Sequence, residues 1–451
     1  MIYSKWATRE EMQQKAQAVN LETGVEKSGI PVMYDDKYLY IDTRETHSLV
    51  IGSTGSGKTQ AVILPTLKLS MMAGESIVVN DPKGEIYAKT AHKLEEEGFK
   101  VIALDFDDAR LGNSWNPLDL AYKVYKEGNV DQSLEIIEEL GYYLLSDPKE
   151  KDSDPFWKNS AINYFTGLVI YLFENGKKEE INLSSVSSIA NSLLSKEACD
   201  RFLNKIDKNS VVFMKLASIL QAPPETRGSI LSVFNLKLER FLSKGNLTKM
   251  LSSSDFDITK ISNEKTAIFI ISGISQNYRN LIPLFANQVI NAVSLYGNQE
   301  KRLNLLLDEF DSLIPIKDFA IKLNYCRSIN IRMIVVIQSF VHLANMYTKE
   351  DVEILKMCFG NIVYLLSEDI YTLEEISKDC GIHVVNGVEE ALISIAELKT
   401  LDYFEAIILM PRTMPFKTKL LPDYAIDWGY ETKAAVIPDR TNQEIKIYEE
   451  K

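Results

Sequence analysis

Between Ser48 and Phe106, short apolar runs alternate with stretches whose apolar residues recur at helical spacing. Ser48–Ile51, Ser76–Asn80 and Lys100–Leu104 read as strands, while Lys58 to about Met72 and about Glu85 to Glu97 read as helices, the second stopping before Gly98. Such alternation builds a parallel α/β sheet. After Trp115-Asn116-Pro117-Leu118-Asp119 the pattern becomes helical through about Leu251, with segments Gln132–Leu145, Phe156–Phe173, Leu183–Leu194 and Ser229–Phe241. Asp147-Pro148, Asn175-Gly176 and Pro223-Pro224 punctuate them. Strands then resume at Ala267–Ile271, Leu303–Leu307, Arg332–Ile337 and Asn361–Leu365, with helices around Ile282–Tyr296 and Phe319–Cys326. The expected organisation is one α/β domain in two parts, 1–118 and 256–430, interrupted by an all-α insertion over 119–255. Residues 431–451 are charged and lack apolar periodicity, which predicts a loosely ordered tail.

The first strand runs into Gly52-Ser53-Thr54-Gly55-Ser56-Gly57-Lys58-Thr59, a full P-loop between a strand and a helix. Its glycines let backbone N–H groups turn inward around phosphates, Lys58 can reach the β and γ phosphates, and the Thr59 hydroxyl can ligate Mg²⁺. The split domain is therefore expected to bind a nucleotide with Mg²⁺.

Hydrolysis also needs an acid for the metal and a base for water. Leu305-Leu306-Leu307-Asp308-Glu309 ends a strand in two carboxylates, Asp308 for Mg²⁺ and Glu309 as general base. The next strand ends in Gln338-Ser339, at the sheet edge where ligands of open α/β folds lie; Gln338 there is either a sensor of the γ phosphate or a polar helix cap. Asp81-Pro82-Lys83-Gly84-Glu85 follows another strand at that edge, so it is a plain turn or its charges lie near the nucleotide or a neighbouring subunit.

With 451 residues, the chain is too long for one small core. A net charge of −13 excludes a surface that coats nucleic acid throughout, and leaves room for a local basic channel. Four scattered cysteines and four scattered histidines (His47, His92, His342, His383) suit a reducing compartment and give no zinc spacing. The apolar stretches Phe165–Phe173 and Met333–Ile337 fall short of the ~20 residues that span a bilayer, and Met1–Glu10 carries no signal-peptide core, so the chain reads as cytoplasmic.

Several less common motifs occur in a fixed order: Lys5-Trp6-Ala7-Thr8, the P-loop segment His47 to Thr59, Asp81-Pro82-Lys83-Gly84-Glu85, Trp115-Asn116-Pro117-Leu118 and Asp154-Pro155-Phe156-Trp157. Arg227-Gly228-Ser229-Ile230-Leu231, Ser254-Asp255-Phe256-Asp257, Leu307-Asp308-Glu309-Phe310 and Ile337-Gln338-Ser339 follow. Together they resemble the type IV secretion coupling proteins, the TraG-type ATPases of conjugation within the FtsK/HerA group of RecA-like motors. The resemblance runs to about Leu421 and implies a RecA-like P-loop NTPase domain with a mostly parallel sheet and an inserted all-α domain that faces the cytoplasm and helps recognise substrate.

The resemblance further implies a homo-hexamer with ATP between subunits and an arginine supplied by the neighbour. Arg327 is the leading candidate, with Arg332 and Arg227 as rivals. Implied partners are relaxase and relaxosome proteins, single-stranded DNA, and the ATPases and inner-membrane components of the secretion channel. Family members usually begin with membrane-spanning helices, and Lys5-Trp6-Ala7-Thr8 falls just after them. A removed anchor, a naturally anchorless chain held at the cytoplasmic membrane face by an anchoring partner, and a monomer in isolation are all compatible with this sequence. The leading expectation is an ATP-driven coupling protein that delivers relaxase-bound single strands to the channel. A nucleotide-gated docking adaptor for protein cargo and an FtsK-like DNA translocase are the alternatives.

Overall fold

The computed structural model describes residues 3–35, 37–146, 155–273, 278–441 and 444–449. Asp147, Pro148 and Asp154, singled out in the sequence, lie outside the described residues. The chain divides into two compact units, one of residues 1–102, 260–273 and 297–436, the other of residues 103–259, 274–296 and 437–451.

In chain order the strands are β1 (Gln17–Val19), β2 (Ile30–Asp35), β3 (Tyr38–Asp42), β4 (Ser48–Gly52), β5 (Ser76–Asn80), β6 (Lys100–Asp105) and β7 (Thr266–Ile271). There follow β8 (Leu303–Leu307), β9 (Ile331–Ile337), β10 (Asn361–Leu366), β11 (Ile382–Val385), β12 (Val388–Ala391), β13 (Glu405–Leu409) and β14 (Phe416–Lys419). Among the described residues, nine form one sheet in the order β14-β13-β10-β4-β9-β8-β5-β7-β6. β10, β4, β9, β8, β5 and β7 run parallel, and β13 and β14 add an antiparallel edge. The central strands β4, β5, β7, β8 and β9 are buried at every residue, which is why they read as continuous apolar runs and not as alternating ones.

Parallel order brings every βα turn of the centre to one edge, where the P-loop, Asp81, Asp308 and Gln338 all emerge. At the opposite edge His47 fixes the register. Its Nε2–H donates to the Leu323 carbonyl at 2.6 Å and its Nδ1 accepts from the Met333 amide at 3.0 Å, so the ring is held neutral. Burial brings the imidazole pKa down to about 4.

Sequence periodicity did not mark the three-stranded sheet β1-β3-β2 or the hairpin β11-β12. The hairpin had a local signal, Asn386-Gly387, whose φ values of 54° and 82° suit the tight turns that join antiparallel strands. The helix after the P-loop opens with a π-turn, Thr59–Ile63, followed by Leu64–Met72. Pro65 has no N–H to give the carbonyl four residues back and its ring would crowd that carbonyl; the turn widens, and the Leu64 amide bonds to Thr59 instead.

The other unit is helical. Its longest elements are Val130–Leu144, Pro155–Asn175, Pro224–Leu242 and Leu281–Tyr296. Lys196–Lys205 and Val211–Leu220 are helices the periodicity did not single out. Trp115 is buried edge-on against Phe285 (centroids 5.0 Å) and its indole N–H donates to Gln288 Oε1 at 3.2 Å. Asn116 donates to the Ile181 carbonyl at 2.6 Å and to Asp119 at 3.0 Å, while its own side-chain oxygen accepts from the Leu118 amide. The Trp-Asn-Pro-Leu motif is thus a structural knot at the start of the helices. Contrary to the expected loose order, the described residues from 437 onward are pinned within this unit. Arg440 is buried and donates to the carbonyls of Ala109 (3.0 Å) and Asn246 (3.3 Å), and Asn182 donates to the Lys446 carbonyl at 2.8 Å. Low apolar content hid an anchorage in which hydrogen bonds to backbone carbonyls are joined by the Tyr171–Tyr448 ring contact and the Lys446–Glu179 ion pair.

Candidate functional site

β4 ends at Gly52 and the chain loops through Ser53–Lys58 into its helix. Gly55 and Gly57 take φ values of 82° and 89°, the left-handed region that favours glycine. A Cβ on Gly52 would fall 2.3 Å from Ser56 Oγ, so the loop closes too tightly for a side chain there. Ser56 Oγ itself is buried without a hydrogen-bond partner. Lys58 Nζ folds back onto the carbonyls of Gly52 (2.5 Å) and Ser53 (2.9 Å). Burial lowers its pKa, against the pull of Asp308, Asp311 and Glu309. A phosphate in the loop would satisfy Ser56 and draw Lys58 off its carbonyls.

From β8, Asp308 Oδ2 accepts a 3.1 Å hydrogen bond from Thr59 Oγ1. Burial raises the Asp308 pKa and the Lys58 charge opposes the rise, so a cation beside the pair would stabilise its ionised form. Asn80, at the end of β5, donates to the Asp308 carbonyl at 2.5 Å and fixes the turn. Glu309 sits at φ 50°, a left-handed conformation costing about 1–3 kcal/mol in a non-glycine residue. Its amide is held by Asp308 Oδ1 at 2.9 Å and its carbonyl by Ser312 Oγ at 2.7 Å. Behind the turn, Phe310 stacks on Phe319 with centroids 5.0 Å apart.

Lys58, Thr59, Asp308, Glu309 and Gln338 line a single pocket, joined by Thr54 and Gly55 of the loop. Asp81, Lys83 and Glu85 line it as well, which places the Asp-Pro-Lys-Gly-Glu turn at the site. Asp81 is buried, accepts from the Tyr87 amide at 2.8 Å and has its carboxyl pushed up to about 6 by burial. An acidic lining residue, Asp311, was missed from sequence. Its Oδ2 accepts from the Gln338 backbone N–H at 2.7 Å and lies 3.3 Å from His342 Nδ1, while Oδ1 is buried and unpartnered. A carboxylate one 3₁₀ turn beyond Asp308 was the available signal.

Arg327 stands apart from this pocket, exposed at the end of the helix Phe319–Ser328. It precedes β9 while Gln338 follows it, and seven strand residues put about 20 Å between the two ends. Its sequence rivals are engaged elsewhere. Arg332 is buried and donates to Asn304 Oδ1 and to both oxygens of Ser28, and Arg227 points at the Leu220 carbonyl within the helical unit.

The orphaned Ser56 hydroxyl, the side-chain-free turn at Gly52 and the Thr59–Asp308 pair fit a nucleoside triphosphate with Mg²⁺. Among the described residues no three His, Cys, Asp or Glu side chains are grouped so as to hold a metal ion.

A mostly parallel sheet with a P-loop at its centre, facing an Asp-Glu turn on a nearby strand, makes this a P-loop NTPase fold of the RecA-like kind. Residues 4–407 match the family described as type IV secretory system conjugative DNA transfer, and the chain belongs to that family. It is 23% identical over 350 residues to the conjugal transfer protein TraG of Rhizobium radiobacter, covering 74% of this chain and 52% of TraG. The chain thus spans about half the length of the curated relatives it matches. Among solved structures it is similar to the plasmid coupling protein TrwB in complex with the non-hydrolysable ATP analogue ADPNP, with 17% identity, TM-score 0.71 and 97% of each chain covered. TrwB in complex with ADP and Mg²⁺ matches with 17% identity, TM-score 0.68 and 93% of each chain. Among the described residues no helix is long and apolar enough to cross a membrane.

Proposed function

We propose that the chain is the ATP-hydrolysing part of a conjugative coupling protein, which takes relaxase-bound single-stranded DNA and passes it to a type IV secretion channel. The observation that carries this reading is the convergence of Lys58, Thr59, Asp308, Glu309 and Gln338 on one pocket in a chain of the conjugative DNA transfer family. Lys58 binds the β and γ phosphates, Thr59 and Asp308 hold Mg²⁺, Glu309 takes a proton from the attacking water, and the Gln338 amide reads the γ phosphate. A bound Mg²⁺ would supply positive charge beside the transferring phosphoryl group. The similar protein TrwB is seen with ADPNP and with ADP and Mg²⁺, which supports ATP and Mg²⁺ as ligands here.

Arg327 acts in the site of the next subunit. Its exposure and its separation from its own pocket favour a role in trans within a ring, a homo-hexamer by family resemblance. Relaxosome proteins, channel ATPases and inner-membrane components are the partners, met at the cytoplasmic face of the membrane. The helical unit carries the cargo contacts.

Conjugative transfer from a donor complemented with Lys58→Ala or Glu309→Gln tests the proposal: loss of transfer in both supports it, and transfer at the wild-type level in both defeats it. A second reading, a nucleotide-gated adaptor for protein cargo, is favoured by exposed apolar side chains on the helical unit, Met214 and Leu236 among them. Relaxase capture by the intact chain that is blocked by Met214→Asp or Leu236→Asp, with ATP turnover unchanged, would favour it.

A further inference from the structure

On the β10 side of β4, an aromatic group borders the P-loop that the catalytic reading does not use. β13 runs antiparallel, so its first residues return to the same edge as the P-loop. There the Phe404 ring packs so closely on Gly57 that a Cβ on the glycine would lie 2.5 Å from Cε1. Phe404 holds φ at 66°, in the left-handed region, an unfavourable conformation for an aromatic residue that the surrounding fold imposes. Tyr403 meets it edge-on with centroids 4.5 Å apart, and Tyr424 at 6.3 Å.

Phe404 is buried, whereas Tyr403 is 62% exposed and Tyr424 72% exposed. Two large aromatic rings exposed beside a phosphate loop offer π faces that a ligand in the loop can cover. Tyr424 is firmly placed: Asp423 next to it is buried and accepts from Lys68 Nζ at 3.0 Å, and Lys68 belongs to the P-loop's own helix.

Direction decides what covers them. Asp308, Glu309 and Gln338 stand on the β8–β9 side of β4, so the γ phosphate and metal belong there. A triphosphate so placed would run back across the Gly57–Thr59 turn and direct its ribose and base to the β10–β13 side, where Phe404 packs on Gly57. Resting on the nucleotide reading above, we infer that Tyr403 and Tyr424, backed by Phe404, form a stacking platform for the purine ring of the bound nucleoside triphosphate. A π face accepts adenine and guanine alike, so ATP and GTP gain by similar factors.

Binding of Mg²⁺ with ATP, GTP and inorganic tripolyphosphate to the intact chain tests this. Both tyrosines are exposed, so replacing them leaves the fold in place, checked by an unchanged melting temperature. Tyr403→Ala with Tyr424→Ala is expected to weaken ATP and GTP about tenfold, equivalent to about 1.4 kcal/mol. Tripolyphosphate binding stays as in the wild type. Tyr403→Phe with Tyr424→Phe keeps the stacking face and the ATP affinity. Unchanged ATP affinity in the double alanine variant, with ATP and tripolyphosphate both lost in Lys58→Ala, overturns the platform and leaves the P-loop reading standing. Equal loss of ATP and tripolyphosphate in the double alanine variant also overturns it, because the tyrosines then serve the loop and not the base. Wild-type binding of both ligands by Lys58→Ala defeats the nucleotide reading itself.

Discussion

The Thr59 hydroxyl donates a 3.1 Å hydrogen bond to the Asp308 carboxylate across 249 positions of sequence. One residue begins the helix after β4 and the other directly follows β8, so their contact requires the parallel order of the sheet. In the reading proposed here an Mg²⁺ ion enters beside this pair. Thr59→Ala should therefore raise the Mg²⁺ concentration needed for half-maximal nucleotide binding by about tenfold, with the melting temperature little changed. A fluorescent-nucleotide titration at fixed ATP and varied Mg²⁺ measures it, and an unaltered midpoint would remove Thr59 from the metal site.

Asp81 presents a conflict between stability and activity. Its folded pKa of about 6 lies above the ordinary aspartate value, so the native state binds the extra proton between about pH 4 and 6, and stability falls as pH rises through that window. Above pH 6 the native state carries a buried carboxylate at a cost of about 2–3 kcal/mol. Asp81→Asn retains an acceptor for the Tyr87 amide and removes the charge, so it should melt higher than the wild type at pH 7.5 and lose that advantage near pH 4. Phosphate release by the same variant should fall, since the carboxylate lines the pocket.

His47 works in the opposite direction. Its folded pKa of about 4 lies below the free value, so the unfolded chain binds more protons between about pH 6.5 and 4 and the native state loses stability as pH falls through that range. The loss from this group approaches about 3 kcal/mol at the acid end. Denaturant midpoints recorded across that window for the wild type and for His47→Asn should converge as the pH drops; parallel curves would show that the imidazole does not titrate on unfolding.

Arg327 acts, in this account, on the neighbour's nucleotide. Lys58→Ala and Arg327→Ala chains should each be inactive alone. Mixed in equal parts before assembly, they should regain about a quarter of wild-type turnover, because an interface needs one intact residue from each side and each is present half the time. No recovery on mixing would place Arg327 in its own subunit's chemistry or outside catalysis.

Much of this was legible in the chain because buried parallel strands are uniformly apolar and P-loop chemistry is local. Leu49-Val50-Ile51 and Leu305-Leu306-Leu307 announce themselves, and the residues that follow them carry the acids and the lysine. What was hidden depends on contacts between distant segments. Asp311 matters through the Gln338 backbone N–H, and Phe404 through Gly57, and no spacing rule connects either pair. The strap around Arg440 was hidden for another reason: hydrogen bonds to backbone leave no hydrophobic period to read.

The central claim is that this pocket hydrolyses ATP in the service of DNA transfer. Phosphate release by the intact chain, with and without single-stranded DNA, tests it most directly when wild type, Lys58→Ala and Glu309→Gln are run together. The account predicts turnover that rises with DNA in the wild type and falls at least about 100-fold in both variants, Glu309→Gln still binding ATP. Turnover in both variants equal to the wild type would contradict it.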